Sequence, residues 1–221
     1  MKTKDATKKS RAHTIYKLQD GTKIPGVTTV LGILNKPALV KWANNLGLQG
    51  IDSSKYRDEM ADIGTLAHKM ILDYFNKTET DTTDYSENQI DLAENCLISF
   101  WAWEKQHTIE VILAEAQLVS SQYGYGGTID CYCKLDGEFT LLDFKTGKAI
   151  YPEMFYQLAA YKQLLVEGNH LVGMTRILRI GRDEDEGFEE RLVADTTKHF
   201  ELFKYCLAIY NLQKELRRVS K

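Results

Sequence analysis

The sequence predicts an α/β fold in which a central mixed β-sheet is flanked by helices, with a helical N-terminal lobe before it. Three observations predict this class. Apolar side chains recur at helical spacing through residues 53–107. The pattern then changes to that of strands over 109–145, and a helical pattern at 152–166 and another strand at 171–181 follow. Helices that alternate with strands in this way pack against a sheet that they flank.

Composition is that of an ordinary globular protein. The 221 residues are 43% hydrophobic and 27% charged, which is enough for one full hydrophobic core. No apolar run approaches the roughly 18 residues of a membrane helix, so we expect no membrane partner. Four cysteines without a secretory signal indicate reduced thiols and a cytoplasmic location.

Charge is distributed unevenly along the chain. The first 13 residues hold five lysines and arginines against Asp5 alone, and we predict a basic flexible tail over residues 1–12. Residues 1–13 therefore have a net charge of +4. Since the net charge of the whole chain is −3, the remaining residues have a net charge of about −7. Such a body argues against broad nonspecific attraction to nucleic acid but permits a local basic groove.

Each predicted element begins or ends at a local signal. Residues 13–25 carry a D-G turn and predict a hairpin, and two short helices fit residues 27–47. A long helix is predicted over 53–77, and a Ser86/Gln89 capping box begins the next one. The remaining predictions are strands at 109–119, 126–136 and 139–145, a helix at 152–166, strands at 171–181 and 187–194, and a last helix to about 218.

The segment Asp143-Phe144-Lys145 has the chemistry of a metal-dependent site. Residues i and i+2 of a strand point to one face, so Asp143 and Lys145 lie side by side. The carboxylate can hold a hard divalent cation while the ammonium positions an attacking water, as phosphodiester hydrolysis requires. It is the only D-x-K in the chain, and no E-x-K occurs. The alternative is a surface ion pair worth roughly 0–1 kcal/mol.

A second carboxylate is predicted to lie opposite the first. Strand alternation places Thr128, Asp130 and Tyr132 on one face, and the tight turn before the next strand brings Asp130 across from Asp143. Two converging carboxylates repel each other unless a cation lies between them, and a metal ion supplies that charge. The alternative for Asp130 is an ion pair with a strand lysine.

Two helices supply further candidates. His68 lies on the shoulder of its helix's apolar stripe beside Gly64, and a helical glycine costs about 1 kcal/mol, which predicts a close approach next to the imidazole. Gln157 and Tyr161 share one helix face and need polar partners if they are buried. A structural histidine and a polar helix surface are the alternatives.

The ordered segments GTLAH (64–68), GGTID (126–130), LLDFKTGK (141–148) and QLAAY (157–161) together resemble the RecB-type branch of the PD-(D/E)XK nuclease superfamily. That branch includes phage-type exonucleases and CRISPR adaptation nucleases. The resemblance covers about residues 64–165 and implies a restriction-endonuclease-like core. The segment PGVTTVLGIL (25–34) is similar to the lead-in of phage and prophage members. On this basis we divide a single domain, 13–221, into an N-terminal lobe (13–52), a catalytic core (53–181) and a C-terminal hairpin strand and helix (182–221).

The resemblance also implies roles for particular residues. The implied ligands of magnesium or manganese are His68, Asp130, Asp143, the backbone carbonyl of Phe144 and, less directly, Glu115. Lys145 matches the catalytic lysine, with Asp143 and Asp130 beside it. Gln157 and Tyr161 match the helix that lines the site. Contacts to DNA are expected from Thr146, Lys148 and Lys162.

One feature of the branch is missing. Members with an iron–sulfur cluster have one cysteine before the core and three near the C-terminus, whereas only Cys206 occupies that region here. We therefore expect no iron–sulfur cluster.

The function implied is a metal-dependent DNA exonuclease, since the resemblance is to members that process DNA ends. The resemblance implies linear DNA as the partner and, by analogy with phage systems, association with a recombinase or annealing protein. Three alternatives stay open: a structure-specific endonuclease of the same fold, a phosphodiesterase that acts on RNA, and a non-catalytic DNA-binding or scaffold protein.

Overall fold

The computed structural model describes residues 14–183 and 185–219. The basic tail predicted for residues 1–12 lies outside them. The helices, in chain order, are α1 (Val27–Leu31), α2 (Pro37–Leu48), α3 (Ser53–Asn76), α4 (Glu87–Glu104), α5 (Pro152–Glu167) and α6 (Thr197–Val219). The strands are β1 (Tyr16–Lys17), β2 (Lys23–Ile24), β3 (Ile109–Ser120), β4 (Tyr125–Leu135), β5 (Glu138–Lys145), β6 (Met174–Ile180) and β7 (Phe188–Val193).

The main sheet has five strands in the order β3-β4-β5-β6-β7. Tight turns connect β3, β4 and β5 as antiparallel neighbours, whereas β5 and β6 are parallel because α5 crosses between them. β7 then returns antiparallel to β6. The predicted α/β class with a mixed sheet and flanking helices is confirmed. The helix, three-strand, helix, strand order is the one predicted from the sequence, and it is the order expected of a restriction-endonuclease-like core.

Two hydrophobic clusters hold the helices against opposite faces of the sheet. One joins the sheet to α1, α5 and α6 and includes Tyr125, Leu158 and Phe203. The other joins the sheet to α3 and α4 and includes Phe100 and Leu142. Helix α3, which carries GTLAH, and helix α5, which carries QLAAY, are thereby fixed on opposite faces of the strands that carry Asp130 and Asp143.

The segment 14–52 is attached in two different ways. Val27 and Val30 of α1 are buried in the main core, whereas none of the residues of α2 is buried. Tyr16 of the small β1–β2 hairpin packs on β4, where a Cβ placed on Gly126 would lie 2.4 Å from its ring. Among the described residues, no helix has the length and apolar character needed to cross a membrane.

The cysteines are buried free thiols. Cys131 and Cys133 pack in the cluster beneath α3 and α4, and Cys206 packs in the other cluster. All three therefore serve as small core side chains.

Candidate metal centre and active site

The strands β4 and β5 separate where the two predicted carboxylates lie. Their pairing runs from Leu135↔Glu138 to Cys131↔Leu142. At the next position the backbone N–H of Phe144 bonds to a side chain in place of the neighbouring strand: it donates a hydrogen bond to the Oδ2 of Asp130 at 2.7 Å. A side chain has thus replaced a strand partner, which opens the sheet beside Asp143.

The strands β3 and β4 are distorted at the same level. Glu115 has a φ of +49°, in the left-handed region, which costs a residue other than glycine roughly 1 kcal/mol. The flanking pairs are Ala114↔Cys131 and Ala116↔Ile129, so Glu115 lies opposite Asp130. Backbone strain of this kind collects at functional sites.

Because of this distortion, the side chains of β4 do not alternate as the sequence predicted. Ile129 and Tyr132 both pack in the cluster under α5, whereas Cys131 packs under α3 and α4. Tyr132 therefore does not share a face with Thr128 and Asp130, both of which line a cleft beside α3. The phase of the strand changes next to Asp130, because the kink at this level interrupts the period of two.

Three potential metal ligands meet in that cleft. One ligand atom from each of His68, Glu115 and Asp130 lies within 4.8 Å of the others, and the Nδ1 of His68 is 3.4 Å from the Oδ1 of Asp130. The cleft has a volume of about 780 Å³ and is also lined by Thr65, Lys69, Gln117 and Thr128. An imidazole with two carboxylates is a donor set that suits a divalent cation such as manganese or magnesium. The geometry thus gives Glu115 a more central position than the sequence did.

The charges of these groups are strongly coupled. Burial opposes the charged form of Asp130, but His68 and Lys145 hold the pKa of Asp130 below its ordinary value. Burial likewise opposes the charged form of His68, and the Asp130 carboxylate raises the pKa of His68. The carboxyl of Glu115 is desolvated in the cleft and lies near the Asp130 charge, which together raise the pKa of Glu115 to about 6.

Asp143 is the most buried acid of the site, with 1% of its surface exposed. Its Oδ2 forms an ion pair with the Nζ of Lys145, while its Oδ1 has no hydrogen-bond partner within the part of the chain that the structure describes. Burial and the nearby Asp130 charge raise the pKa of Asp143 to about 6, although Lys145 opposes this. A buried carboxylate oxygen that protein groups leave unsatisfied fits a cation ligand. Asp143 is nevertheless outside the three-residue cluster and is held by Lys145.

Gln157 and Tyr161 of α5 lie on the opposite side of the sheet from α3, close to Asp143. The Nε2 of Gln157 donates a hydrogen bond to the Oη of Tyr161 at 2.8 Å. Burial and the charge of Asp143 raise the pKa of Tyr161 well above its ordinary value, so the phenol stays protonated. Its ring packs on Gly127, where a Cβ would lie 2.5 Å from Cε1. The second glycine of GGTID is therefore needed for the close approach of Tyr161.

The three residues expected to contact DNA lie in different surroundings. Thr146 is only 8% exposed, and its Oγ1 accepts a hydrogen bond from Arg182, so it is a structural residue rather than the expected surface contact. Lys148 is exposed on the loop after β5. Lys162 lies beside Asp195 near the beginning of α6 and not in the cleft, because one residue turns a helix by about 100° from Tyr161.

Arg182 is not among the residues predicted for the site, and it fixes α3 to the end of β5. Its guanidinium donates to the carbonyl of Met60 at 3.3 Å and to the Oγ1 of Thr146 at 3.3 Å. Arg182 lies between two predicted strands, and nothing in the sequence pattern there indicates a contact with α3. The same junction explains Gly64, since a Cβ there would lie 2.8 Å from the Oγ1 of Thr146. The close approach is to Thr146, whereas the sequence placed it at the imidazole.

This contact predicts opposite effects for two helical glycines. Gly64→Ala forces Thr146 away from α3, and we expect it to lower the free energy of unfolding by about 1 kcal/mol and to slow any reaction at Lys145. Gly47→Ala in α2, where a Cβ meets nothing within 4 Å, should stabilise the protein by about 0.5–1 kcal/mol through helix propensity alone. Urea unfolding of both variants measures this, and a Gly64→Ala variant as stable as Gly47→Ala would contradict the tight contact.

Fold and site together define a restriction-endonuclease-like α/β protein with a candidate cation site at the separated ends of its central strands. No protein-family model matches the sequence, and no curated protein sequence matches it. Among solved structures, the chain is similar to the alkaline exonuclease LHK-Exo from Laribacter hongkongensis, with a TM-score of 0.42, 10% identity, and coverage of 73% of this chain and 88% of that one. The same exonuclease in complex with dAMP gives a TM-score of 0.42, 11% identity and the same coverage.

A third structure, SSO0001, gives a TM-score of 0.29 and 14% identity over 59% of this chain and 68% of that one. Because these identities and TM-scores are low, the three likenesses carry no argument about the function of this chain.

Proposed function

We propose that this protein is a DNA exonuclease that hydrolyses phosphodiester bonds with magnesium or manganese. The observation that supports this most strongly is the convergence of His68, Glu115 and Asp130 on one side of the opened strands, with the buried pair of Asp143 and Lys145 beside them. The four motifs that resemble RecB-type nucleases supply the reaction class. Phage or recombination-related processing of DNA ends is the biological setting that the same resemblance favours.

The ligands of the cation would come from four side chains and one carbonyl: His68, Glu115, Asp130, Asp143 and the carbonyl of Phe144. A divalent cation supplies Lewis acidity, which lowers the pKa of a bound water and stabilises negative charge on a phosphate. Asp130 has a further role, because its Oδ2 also holds the N–H of Phe144 and so fixes the end of β5. The one carboxylate of Asp130 would therefore both bind the cation and hold the strand that carries Lys145.

Lys145 is the cationic group of the reaction. Its ion pair with Asp143 keeps the ammonium at the end of β5, 16% exposed, where it can align the attacking water and offset charge that develops on the phosphate oxygens. Gln157 and Tyr161 lie on the other side of Asp143, where the phenol stays neutral and can orient this pair. Lys69, which lines the cleft and donates to the carbonyl of Asp81, and the exposed Lys148 would contact backbone phosphates, so binding should weaken steeply with salt.

A gel assay tests the proposal. End-labelled linear single-stranded and double-stranded DNA, closed circular DNA and single-stranded RNA are incubated with Mn²⁺, with Mg²⁺ or with a chelator, and wild type is compared with Asp143→Ala. We expect linear DNA to be degraded from its ends only with a cation, and Asp143→Ala to be inactive. Cutting of closed circles would indicate the endonuclease instead, cleavage of RNA alone would indicate the phosphodiesterase on RNA, and DNA binding without cleavage would indicate a scaffold.

Cation binding should also stabilise the fold, with a definite pH dependence. The pKa values of Asp143 and Glu115 are raised from 3.8 and 4.5 to about 6. Both carboxyls therefore destabilise the cation-free protein as the pH rises from about 4 to above 6. Because the cation needs their deprotonated forms, its stabilising effect grows over the same interval.

A thermal unfolding series measures this effect. At pH 7.5 and a Mn²⁺ concentration of about 100 times Kd we expect about 2.7 kcal/mol of stabilisation, and much less at pH 5. Glu115→Gln should reduce the Mn²⁺ effect, whereas Glu110→Gln, on the same strand but outside the cluster, should leave it unchanged. An equal Mn²⁺ effect in both variants would exclude Glu115 as a ligand.

A further inference from the structure

The second half of helix α6 has no buried residue, although one edge of it borders an open cleft beside Thr29 and Ile33. The buried residues of α6 are Phe203, Cys206 and Leu207, all in its first half, and residues 211–219 are exposed without exception. At 1.5 Å per residue these nine residues extend about 13 Å. A helix of this length is marginal in water unless its apolar face packs against something.

That face is a narrow apolar stripe with heptad spacing. Its members follow one another at intervals of four, three, four and three residues and are between 50% and 80% exposed; they are Tyr205, Ile209, Leu212, Leu216 and Val219. The side chains between them are mostly polar or charged and include Gln213, Lys214, Glu215, Arg217 and Arg218. Two apolar positions in every seven form the seam of a helix pair, whereas a helix that lies on a membrane or a protein core has a wider apolar face.

The extent of the stripe fits a second copy of the chain. An aromatic side chain presents about 150–250 Å² and an aliphatic one somewhat less, so one tyrosine and four aliphatic side chains that are half to four-fifths exposed offer at most roughly 500 Å². Two copies would bury roughly 1,000 Å², which is the lower limit for a specific interface. Because the same spacing is present on each copy, the stripe is complementary to itself, as a two-fold interface requires.

We propose that this stripe pairs two copies of the protein in solution, α6 against α6. The small area makes the dimer a reversible one, with a dissociation constant on the order of 1–100 µM. The stripe is separate from the cleft, and the proposal does not depend on nuclease activity.

Sedimentation and light scattering of the full chain test the pairing, without DNA or metal. Between about 1 and 200 µM we expect the mass to rise from the 25.3 kDa of one chain towards twice that value. Leu212→Glu should hold the mass at one chain at every concentration with an unchanged melting temperature, since Leu212 is exposed in the monomer. Leu48→Glu, an equally drastic change at an 80% exposed leucine of α2, should still dimerise.

Three results would overturn the proposal. The first is a wild-type chain that stays monomeric at 200 µM. The second is a Leu212→Glu variant with the same mass profile as wild type, which would place the interface elsewhere. The third is a monomer that co-sediments with anionic phosphatidylcholine–phosphatidylserine vesicles and loses this property on Leu212→Glu, which would make a lipid surface the occupant of the stripe.

Discussion

Asp130→Asn should lower metal-dependent cleavage by about 1,000-fold or more, the largest effect expected of a single substitution here. The two oxygens of Asp130 do different things: Oδ1 lies 3.4 Å from the Nδ1 of His68, and Oδ2 accepts the N–H of Phe144. Asparagine keeps the size of the side chain and one acceptor, so β5 can stay in place. What is lost is the negative charge that joins the ligand cluster to the strand of Lys145.

Two measurements separate this loss from misfolding. The melting temperature without a cation should change little, because removing one acid from a pair of adjacent carboxylates offsets the lost contact with His68. The stabilisation by Mn²⁺ should disappear together with cleavage. Asp195→Asn, at an exposed carboxylate before α6, is the matched control and should cleave like wild type. Cleavage by Asp130→Asn within tenfold of wild type would show that Asp130 is not a ligand.

The sequence could predict those parts of the site that depend on short stretches of chain. Asp143 and Lys145 are two residues apart on one strand, and Gln157 and Tyr161 are one helical turn apart, so their neighbourhood follows from local geometry. The approach of Asp130 to the end of β5 is predictable as well, since only a two-residue turn connects β4 to β5.

Contacts between distant segments could not be predicted in this way. The bond between Arg182 and Thr146 joins residues 36 positions apart, and neither residue has a local pattern that indicates it. The left-handed backbone of Glu115 changes the phase of two strands together, and no periodicity reveals such a change. Lys162 was misplaced because its position depends on the packing of α6 against α5, which the helix pattern alone does not specify.

Lys145→Met should abolish cleavage while cation binding persists, a combination that distinguishes the lysine from the ligands. Methionine keeps the length of the side chain without its charge, so the attacking water loses its alignment and the phosphate loses a counter-charge. The cluster of His68, Glu115 and Asp130 is untouched, and Mn²⁺ should still raise the melting temperature.

The stability of the same variant tests the ion pair. Removing one partner of a buried pair leaves Asp143 uncompensated, which costs about 3–5 kcal/mol at neutral pH unless the carboxyl takes up a proton. Adding Asp143→Asn to Lys145→Met should therefore recover much of that stability while cleavage stays absent, because a neutral amide tolerates burial better than a lone carboxylate. A double variant less stable than Lys145→Met would show that Asp143 has stabilising partners other than the lysine. A single variant that cleaves DNA within threefold of wild type would remove Lys145 from the reaction, leaving the cation and its ligands to act alone.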